Sequence, residues 1–212
     1  MDGTLIVSSI ILTMMTFSGN YASTIPHLGS SCHSPVICPS YTVIRGKSTN
    51  DYEYRRYDES KWIATNYVAL AMTPGDELDM RMRLKGYYLG GNTEGVSIDQ
   101  TLPVILRVAP NMAPNGTVFV MLQMIPSTVH GNIPTPTAES VYIQEVPPFN
   151  VYVRRFVGCS LHSTCQHEVD ILKNAIGNLS KYYQEYFLLA EFESSTDVVH
   201  NEAWLISTEH VL

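Results

Sequence analysis

Two arginine pairs, Arg55–Arg56 and Arg154–Arg155, are the most distinctive polar residues of this chain. Because successive residues of a β-strand face opposite sides of a sheet, one arginine of each pair should face the interior. A buried guanidinium needs a carboxylate, either from the protein or from a ligand. The candidate acids in the sequence are Glu53, Asp58 and Glu145. We therefore expect structural ion pairs, and we expect Arg56→Ala to reduce stability more than ligand affinity.

The four cysteines form two pairs with the same spacing. Five residues separate Cys32 from Cys38, and five separate Cys159 from Cys165. Four cysteines allow three pairings, and the sequence alone does not choose between them. Our hypothesis is two local disulfides, each fixing a small loop. A zinc site is the weaker alternative, because no Cys-x-x-Cys occurs and this spacing is unusual for zinc.

A segment rich in methionine and tyrosine could form one wall of a ligand site. Its apolar residues are Met80, Met82, Leu84, Tyr87 and Tyr88, and its cations are Arg81, Arg83 and Lys85. An apolar slot beside cations suits a flat ligand that carries carboxylates. The alternative is that the apolar residues pack in the core while the cations face solvent.

The sequence contains none of the common catalytic motifs. We find no nucleophile elbow, no P-loop, no GxGxxG and no HExxH. The acids Asp76, Glu77 and Asp79 are explained by their place at a helix start, where negative charge is favourable. We therefore expect a binding protein and not an enzyme.

The charge balance argues against polyanionic partners. The chain has 20 acidic and 13 basic residues, for a formal net charge of −7. Nucleic-acid recognition requires a basic face, and docking on an anionic membrane requires a basic patch. We expect neither kind of partner.

Residues 1–22 are predicted to be a signal peptide. Residues 5–17 (LIVSSIILTMMTF) form an apolar run as long as a signal core, and small residues cluster near a cleavage site at Ala22. Secretion agrees with disulfides and makes the sequons at Asn115 and Asn178 candidates for glycosylation. We expect an extracellular protein with a disulfide-held arm at residues 23–40 and a folded domain at residues 41–212.

Capping patterns predict two helices in the folded domain. The first begins at the box Thr73–Asp76 and ends at Gly90. The second begins at the box Ser163–Gln166 and ends near Gly177. The apolar stripe of the second helix is Val169, Leu172, Ile176 and Leu179. Segments rich in β-branched and aromatic residues predict strands between and after the helices.

A short internal repeat suggests a duplicated unit. Residues 52–57 (YEYRRY) resemble residues 151–156 (VYVRRF), and each is followed by a predicted helix. Many strands with two helices indicate an α+β fold, in which a helix packs on the sheet in each half.

Four ordered blocks resemble the SOUL heme-binding protein family. These are YEYRRY with Trp62, YLGGN at residues 88–92 with the segment to Val104, VYVRRF with Gly158, and NEAWLI at residues 201–206. The arm from Cys32 to Val43 is similar to a secreted branch of the family, which implies a local Cys32–Cys38 pair. The resemblance implies a distorted antiparallel β-barrel of two repeated halves, each with one packed helix.

The resemblance also implies a ligand, heme or another amphipathic tetrapyrrole, in an apolar groove beside the first helix. The residues expected there are Met80, Met82, Leu84, Tyr87, Tyr88 and Arg56. A cytosolic branch carries a histidine, proposed as a heme ligand, where this chain has Arg56, and arginine is a poor iron ligand. His130, His162 and His167 are the other possible ligands. The alternative function is an extracellular interaction or structural protein, with a protein partner, on a scaffold that no longer binds heme.

Overall fold

The computed structural model describes residues 27–29, 32, 36–114, 116–129, 132–192 and 200–209. The predicted signal peptide at residues 1–22, the sequon at Asn115 and the possible ligand His130 lie outside the described residues. Secretion, signal cleavage and glycosylation at Asn115 therefore stay predictions.

In the described part of the chain, ten strands form one curled antiparallel sheet. The strands are β1 (His27–Gly29), β2 (Tyr41–Val43), β3 (Glu53–Tyr57), β4 (Ser60–Ala69), β5 (Val104–Ala113), β6 (Gly116–Met124), β7 (Val141–Val146), β8 (Phe149–Phe156), β9 (Phe187–Phe192) and β10 (His200–Ile206). Their spatial order is β1-β2-β3-β8-β10-β9-β5-β6-β4-β7. The predicted α+β class and barrel-like form are confirmed.

Both helices, α1 (Pro74–Tyr88) and α2 (Gln166–Ile176), pack on the same face of the sheet. Successive side chains along β5 point to opposite faces of the sheet, as in any pleated strand, and they belong to two different apolar clusters. Leu106 and Val108 pack in the cluster that contains the helices, while Ile105 belongs to a second cluster on the opposite face. The opposite face therefore has apolar side chains that no helix of the described residues covers.

The first helix begins as the sequence predicts. The Thr73 side chain accepts a hydrogen bond from the backbone N–H of Asp76, and the Asp76 carboxylate accepts one from the backbone N–H of Thr73. Pro74 occupies the first turn, where its missing N–H costs nothing. The helix ends at Tyr88, two residues before Gly90, which adopts a positive φ of 100°.

The second helix begins later than its sequence predicts. Ser163 lies in a short 3-10 turn, and its hydroxyl donates to the Ser160 carbonyl and does not cap α2. Thr164 and Cys165 take left-handed conformations, with φ of 57° and 39°, so helical geometry starts only at Gln166. Gly177 ends the helix with a φ of 68°, as predicted. Leu179 therefore lies beyond the helix and is exposed, while Val169, Leu172 and Ile176 are buried.

The predicted two-half organisation is confirmed. The first half contains β3, β4, α1, β5 and β6, and the second contains β7, β8, α2, β9 and β10. The counterparts are β3 and β7, β4 and β8, β5 and β9, and β6 and β10. Exchanging each strand for its counterpart reverses the spatial order of these eight strands. The two halves are thus related by an approximate twofold axis.

The short repeat that suggested this organisation nevertheless aligns the wrong strands. Its two copies form β3 and β8, which are paired neighbours with Arg55 opposite Val151. The counterpart of β3 under the approximate twofold axis is β7. Arg55 and Arg155 both hydrogen-bond Glu202, but they are not equivalent positions of the repeat, because Arg55 aligns with Arg154.

Both predicted local disulfides are present, Cys32–Cys38 and Cys159–Cys165, with Cα–Cα distances of 6.0 and 5.9 Å. The first holds the N-terminal arm, whose Ile37 carbonyl accepts a hydrogen bond from the Leu102 N–H at 2.9 Å. The second closes the loop that leads into α2.

Candidate functional site

One fully buried carboxylate, that of Glu202, binds two of the four arginines of the Arg55–Arg56 and Arg154–Arg155 pairs. Glu202 on β10 accepts two hydrogen bonds from Arg55, Nη1 to Oε2 and Nη2 to Oε1, both at 3.0 Å. Its Oε1 also accepts from Arg155 Nε at 3.1 Å, and its Oε2 accepts from Trp204 Nε1 at 2.8 Å. Arg55 Nε donates to Glu53 at 2.7 Å. These contacts form an internal ion network, in which the charged groups are paired with other groups of the protein.

The predicted partners of the arginine pairs are partly right. Glu53 does pair with Arg55, but Glu145 pairs with Lys61 at 3.0 Å, and Asp58 is exposed. Glu202, the central acid, was not among the candidates because it is 147 residues away from Arg55 in sequence.

Arg55, not Arg56, is the structural arginine of its pair. Arg55 is fully buried, whereas Arg56 is half-buried on the opposite face of β3 and has no ion pair among the described residues. We therefore expect the loss of stability on replacing Arg55 and not Arg56, because only the removal of Arg55 would leave Glu202 without a bidentate partner.

Glu202 is ionised in the folded protein. Burial alone would raise the pKa of its carboxyl, but the neighbours His200, Arg55 and Trp204 outweigh burial and lower it to about 2. Burial is the largest single influence on the pKa of Arg55 and would lower it, but Glu202, Tyr57 and Tyr41 together outweigh burial and raise the pKa. Both groups therefore stay charged at neutral pH.

The residues predicted to line a groove beside the first helix are mostly in the core. Met80, Leu84, Tyr87 and Tyr88 are each at most 2% exposed and pack under α1. The two tyrosine hydroxyls donate to the backbone carbonyls of Pro134 and Met124, at 3.0 and 2.8 Å. Of the five apolar helix residues predicted to contact a ligand, only Met82 is exposed. Heme contact by these residues and by Arg56 stays a prediction.

The outer side of α1 carries an apolar row that includes Met82. Leu78, Met82 and Leu89 are exposed by 60%, 55% and 64%. A cavity of about 360 Å³ lies on another side of the same helix. Its wall includes Arg81, whose guanidinium already pairs with Glu77 and Glu191, both at 2.8 Å. The surroundings of α1 therefore combine an exposed apolar row with a polar cavity.

A larger cavity, of about 500 Å³, opens on the face of the sheet that has no helices. Six aromatic side chains contribute to its wall: Trp62, Tyr142, Phe149, Tyr183, Tyr186 and Trp204. Aliphatic side chains of the central strands, including Ile105 and Val120, form its floor. Pockets that hold small organic ligands typically measure about 300–1,000 Å³ and have this mixture of apolar and aromatic walls.

One cation, Arg107, lies in this wall. Its position on β5 is opposite Val120 of β6 and Leu188 of β9, which also line the cavity. Its Cζ lies 4.4 Å from the centroid of the Tyr186 ring, within cation–π range. Its Nε is buried and has no hydrogen-bond partner. An unpartnered buried donor costs about 1–3 kcal/mol, so the described residues leave this guanidinium incompletely satisfied.

The acids of the cavity wall already have partners. Glu145 pairs with Lys61, and Glu209 pairs with Lys47 and accepts a hydrogen bond from the Tyr54 hydroxyl. The pKa values of the Tyr142 and Tyr186 hydroxyls are raised because burial outweighs the opposing charge of Arg107. At neutral pH the wall therefore presents neutral phenols and one positive charge.

The sequence did contain a sign of this site that the motif search passed over. Arg107 is the only charged residue in the apolar stretch 103–108 (PVILRV). A charged side chain in a strand that is otherwise apolar needs a partner or a function. The position of the cavity itself follows from the helices lying on one face, which no local pattern in the sequence encodes.

The two possible histidine ligands among the described residues do not line this cavity. His162 is held by Glu77, whose Oε2 lies 2.9 Å from His162 Nδ1, and His167 is exposed on α2. Within the described residues, no group of three or more His, Cys, Asp or Glu side chains could hold a metal ion. No helix of the described part of the chain is long and apolar enough to cross a membrane.

Comparisons with known proteins agree on one family. The family model described as "SOUL heme-binding protein" matches residues 36–206. "Heme-binding protein 2" of Mus musculus is 30% identical over 160 residues, which cover 73% of this chain and 77% of that protein. The Homo sapiens protein of the same name is 27% identical over 166 residues, covering 76% and 80%. "Heme-binding protein 1" of Xenopus laevis is 26% identical over 163 residues, covering 73% and 83%.

A solved structure extends the likeness in fold alone. The C-terminal domain of EcmrR superposes with a TM-score of 0.51 and 9% identity, covering 75% of this chain and 99% of that domain. At this identity the likeness concerns the arrangement of the strands and helices only.

Proposed function

This chain belongs to the SOUL heme-binding protein family, and from that premise we propose that it is a secreted protein that binds heme or another amphipathic tetrapyrrole in the 500 Å³ cavity of the sheet. The observation that carries the proposal is the cavity wall, which combines six aromatic rings with Arg107. No chemical step is part of the proposal. Its function is binding.

The residues of the cavity fit a tetrapyrrole. The aromatic side chains offer flat apolar surfaces, which favour stacking against a planar ring system. Arg107 lines the cavity and has no ion pair among the described residues, so a propionate carboxylate could pair with its guanidinium. Bound heme would bring an iron centre capable of ligand or redox chemistry.

The described wall of the cavity offers iron only weak ligands. It contains no histidine, cysteine or methionine among the described residues, and its tyrosines include Tyr142 and Tyr186. Burial raises the pKa values of these two phenols, so they stay protonated at neutral pH. We therefore expect the ring and its carboxylates, and not the iron, to dominate the affinity.

The direct test fills the cavity and measures tetrapyrrole affinity. Val120→Phe adds volume inside the cavity, and Val68→Phe makes the same change at an exposed position of β4 outside it. Hemin and metal-free protoporphyrin IX are titrated into each variant, with absorbance near the Soret band as the readout. We expect saturable one-to-one binding that Val120→Phe weakens by about tenfold or more, as losing stacking contacts predicts, while Val68→Phe leaves it unchanged. Equal affinities for the two variants would contradict the cavity as the site.

The outer side of α1 is the alternative location, as the family resemblance implied. Met82→Glu places a charge in the exposed apolar row without disturbing the core. Loss of hemin binding in Met82→Glu, with normal binding in Val120→Phe, would move the site to α1. Absence of saturable binding by the wild-type chain would favour the second candidate function, an extracellular interaction protein. The specific observation for that function is the same exposed row, Leu78, Met82 and Leu89.

Secretion is supported by the apolar run at residues 5–17 and by two disulfides with no free cysteine among the described residues. Asn178 is exposed in its sequon and therefore accessible to a glycan. The test expresses the full chain in a secretory cell and examines the medium. We expect a product with a new N-terminus near Ala22 and added mass that Asn178→Gln reduces. Retention inside the cell with residue 1 intact would contradict secretion.

A further inference from the structure

We propose that Arg107 makes the cavity selective for planar amphipathic ligands that carry a carboxylate, and that it does so by hydrogen-bonding this carboxylate from inside the wall. The inference deepens the proposed function, because it names the class of ligand for the same cavity. It extends beyond tetrapyrroles to any flat apolar carboxylate of suitable size.

The first support is the unsatisfied state of Arg107. Three arginines in or near the core are paired: Arg55 with Glu202, Arg81 with Glu191, and Arg154 with Glu168. Half-buried Arg56 has no ion pair in the described part of the chain, but none of its nitrogens is buried without a partner. Arg107 has no ion pair among the described residues either, although its Nε is buried. No described residue therefore provides an anion for this guanidinium.

The second support is the charge pattern of the cavity wall. Arg107 is the one cation among the described residues that line it, and the two lining acids, Glu145 and Glu209, are neutralised by Lys61 and Lys47. The local charge available to a ligand is consequently positive, although the whole chain carries a net charge of −7. Charge attraction of the whole protein cannot explain anion binding here, whereas this single residue can.

The third support is the geometry around the guanidinium. Tyr186 covers it with its ring at 4.4 Å from Cζ, so the Arg107 side chain is held in place before a ligand arrives. Tyr183 stacks on Tyr186, with centroids 6.2 Å apart and planes inclined by 12°. A flat ligand can thus continue a stack of aromatic rings while its carboxylate reaches the guanidinium. A carboxylate is planar and accepts two parallel hydrogen bonds from arginine.

The test uses two probes that differ in one group. 1-Pyrenebutyrate and 1-pyrenebutanol share a flat apolar ring system, and only the first is an anion. Dissociation constants are measured by pyrene fluorescence for the wild-type chain, Arg107→Met, Arg107→Lys and Arg45→Met. Arg45 is an exposed arginine that does not line the cavity, so its replacement controls for a general loss of positive charge. Thermal melting of each variant checks that it is folded.

We expect the wild-type chain to bind the butyrate at least about tenfold more tightly than the butanol, as a charge-assisted hydrogen bond predicts. Arg107→Met should abolish this preference by weakening the butyrate alone, Arg107→Lys should retain part of it, and Arg45→Met should keep it whole. A preference that survives in folded Arg107→Met, or no binding of either probe to the wild-type chain, would overturn the inference.

The failures of the inference and of the proposed function are distinguishable. If hemin binds and Val120→Phe weakens it, while Arg107→Met leaves both pyrene affinities unchanged, the function stands and the role of Arg107 is wrong. If pyrenebutyrate binds through Arg107 but no tetrapyrrole binds, the carboxylate selectivity stands and the tetrapyrrole function is wrong.

Discussion

Two arginines of this sheet differ in their pairing: one forms a structural ion pair, and the other has no ion-pair partner among the described residues. Arg55 is fully buried and makes a bidentate pair with Glu202, whereas Arg107 Nε is buried without an acceptor. Removing one partner of a buried ion pair leaves an uncompensated charge in the core. Removing an unpaired donor, in contrast, relieves a desolvation cost.

We predict opposite stability effects for the same substitution at these two positions. Arg55→Met should lower the free energy of unfolding by about 3–5 kcal/mol, because Glu202 stays buried and loses its main partner. Arg107→Met should leave it unchanged or raise it by about 1 kcal/mol. Urea denaturation followed by tryptophan fluorescence measures both. A large loss for Arg107→Met would mean that Arg107 has a structural partner and would remove it as a ligand-binding residue.

The pKa of Glu202 predicts how stability depends on pH. Its folded pKa, about 2, lies below that of an unfolded glutamate, near 4.3. A depressed folded pKa contributes stability that is present above the unfolded value and is lost as the pH falls toward the folded value. We therefore expect the urea midpoint to be level from about pH 7 to 5 and to fall between about pH 4.5 and 2. A midpoint that stays level down to pH 3 would contradict the ionised state of Glu202.

At the residue scale, the sequence predicted that the arginine pairs need acids and named Glu53 correctly, but it did not identify the central acid, Glu202. Alternation shows that one arginine of Arg55–Arg56 faces inward, yet it does not say which one. The choice depends on the register of β3 against β8, where Arg55 lies opposite Val151. Glu202 arrives from the far end of the chain, so its role follows from strand order and not from a local pattern.

At the scale of elements, α1 is the part that the sequence determined best. Its capping box, its proline in the first turn and its end near Gly90 are local features, and all three were predicted. The start of α2 was predicted wrongly because the disulfide loop places Thr164 and Cys165 in left-handed conformations. A capping pattern does not include a covalent constraint of that kind.

Glu77 joins α1 to this disulfide loop, and we predict that it stabilises the fold. Its carboxylate accepts from Arg81 Nε at 2.9 Å and from the backbone N–H of His162 at 2.9 Å. Burial would raise the pKa of Glu77, but Arg81 and His162 together lower it. Glu77→Gln should therefore reduce the free energy of unfolding by about 1–3 kcal/mol, as loss of charged hydrogen bonds predicts.

The matched control for Glu77 is on the same helix. Asp79→Asn removes an acid whose pair with Arg83 is exposed to solvent, and such pairs contribute at most about 1 kcal/mol. Denaturation of both variants under the same conditions gives the comparison. Equal losses for Glu77→Gln and Asp79→Asn would mean that the contact between α1 and the disulfide loop contributes nothing specific.

At the scale of the whole molecule, the approximate twofold arrangement explains where a ligand site can exist. Both halves place their helix on the same face, so the helices fill that side, while the 500 Å³ cavity opens on the other side of the sheet. The two-half fold was predictable from the sequence and from its family resemblance. The location of the cavity was not, because it depends on how the sheet curls and on which face each helix covers.

This arrangement also changes the interpretation of the methionine- and tyrosine-rich helix. Met80, Leu84, Tyr87 and Tyr88 show the spacing of a ligand-facing stripe, but the same spacing describes a core-facing stripe. Only the packing of α1 against β4 and β6 decides between the two. The alternative of a buried stripe describes these four residues, whereas Met82 is exposed and Arg81 pairs with Glu77 and Glu191.

The most direct test of the cavity as the tetrapyrrole site uses the two tryptophans of the chain as reporters. Trp62 and Trp204 both line the cavity, and their indole N–H groups donate to Ser60 and Glu202. Each indole N–H gives its own signal in a ¹H–¹⁵N correlation spectrum, and ring currents of a bound porphyrin act only over short distances. With one equivalent of metal-free protoporphyrin IX, we predict that both indole signals shift while the Met82 amide of α1 does not. Shifts confined to α1, with both indole signals unmoved, would contradict the account.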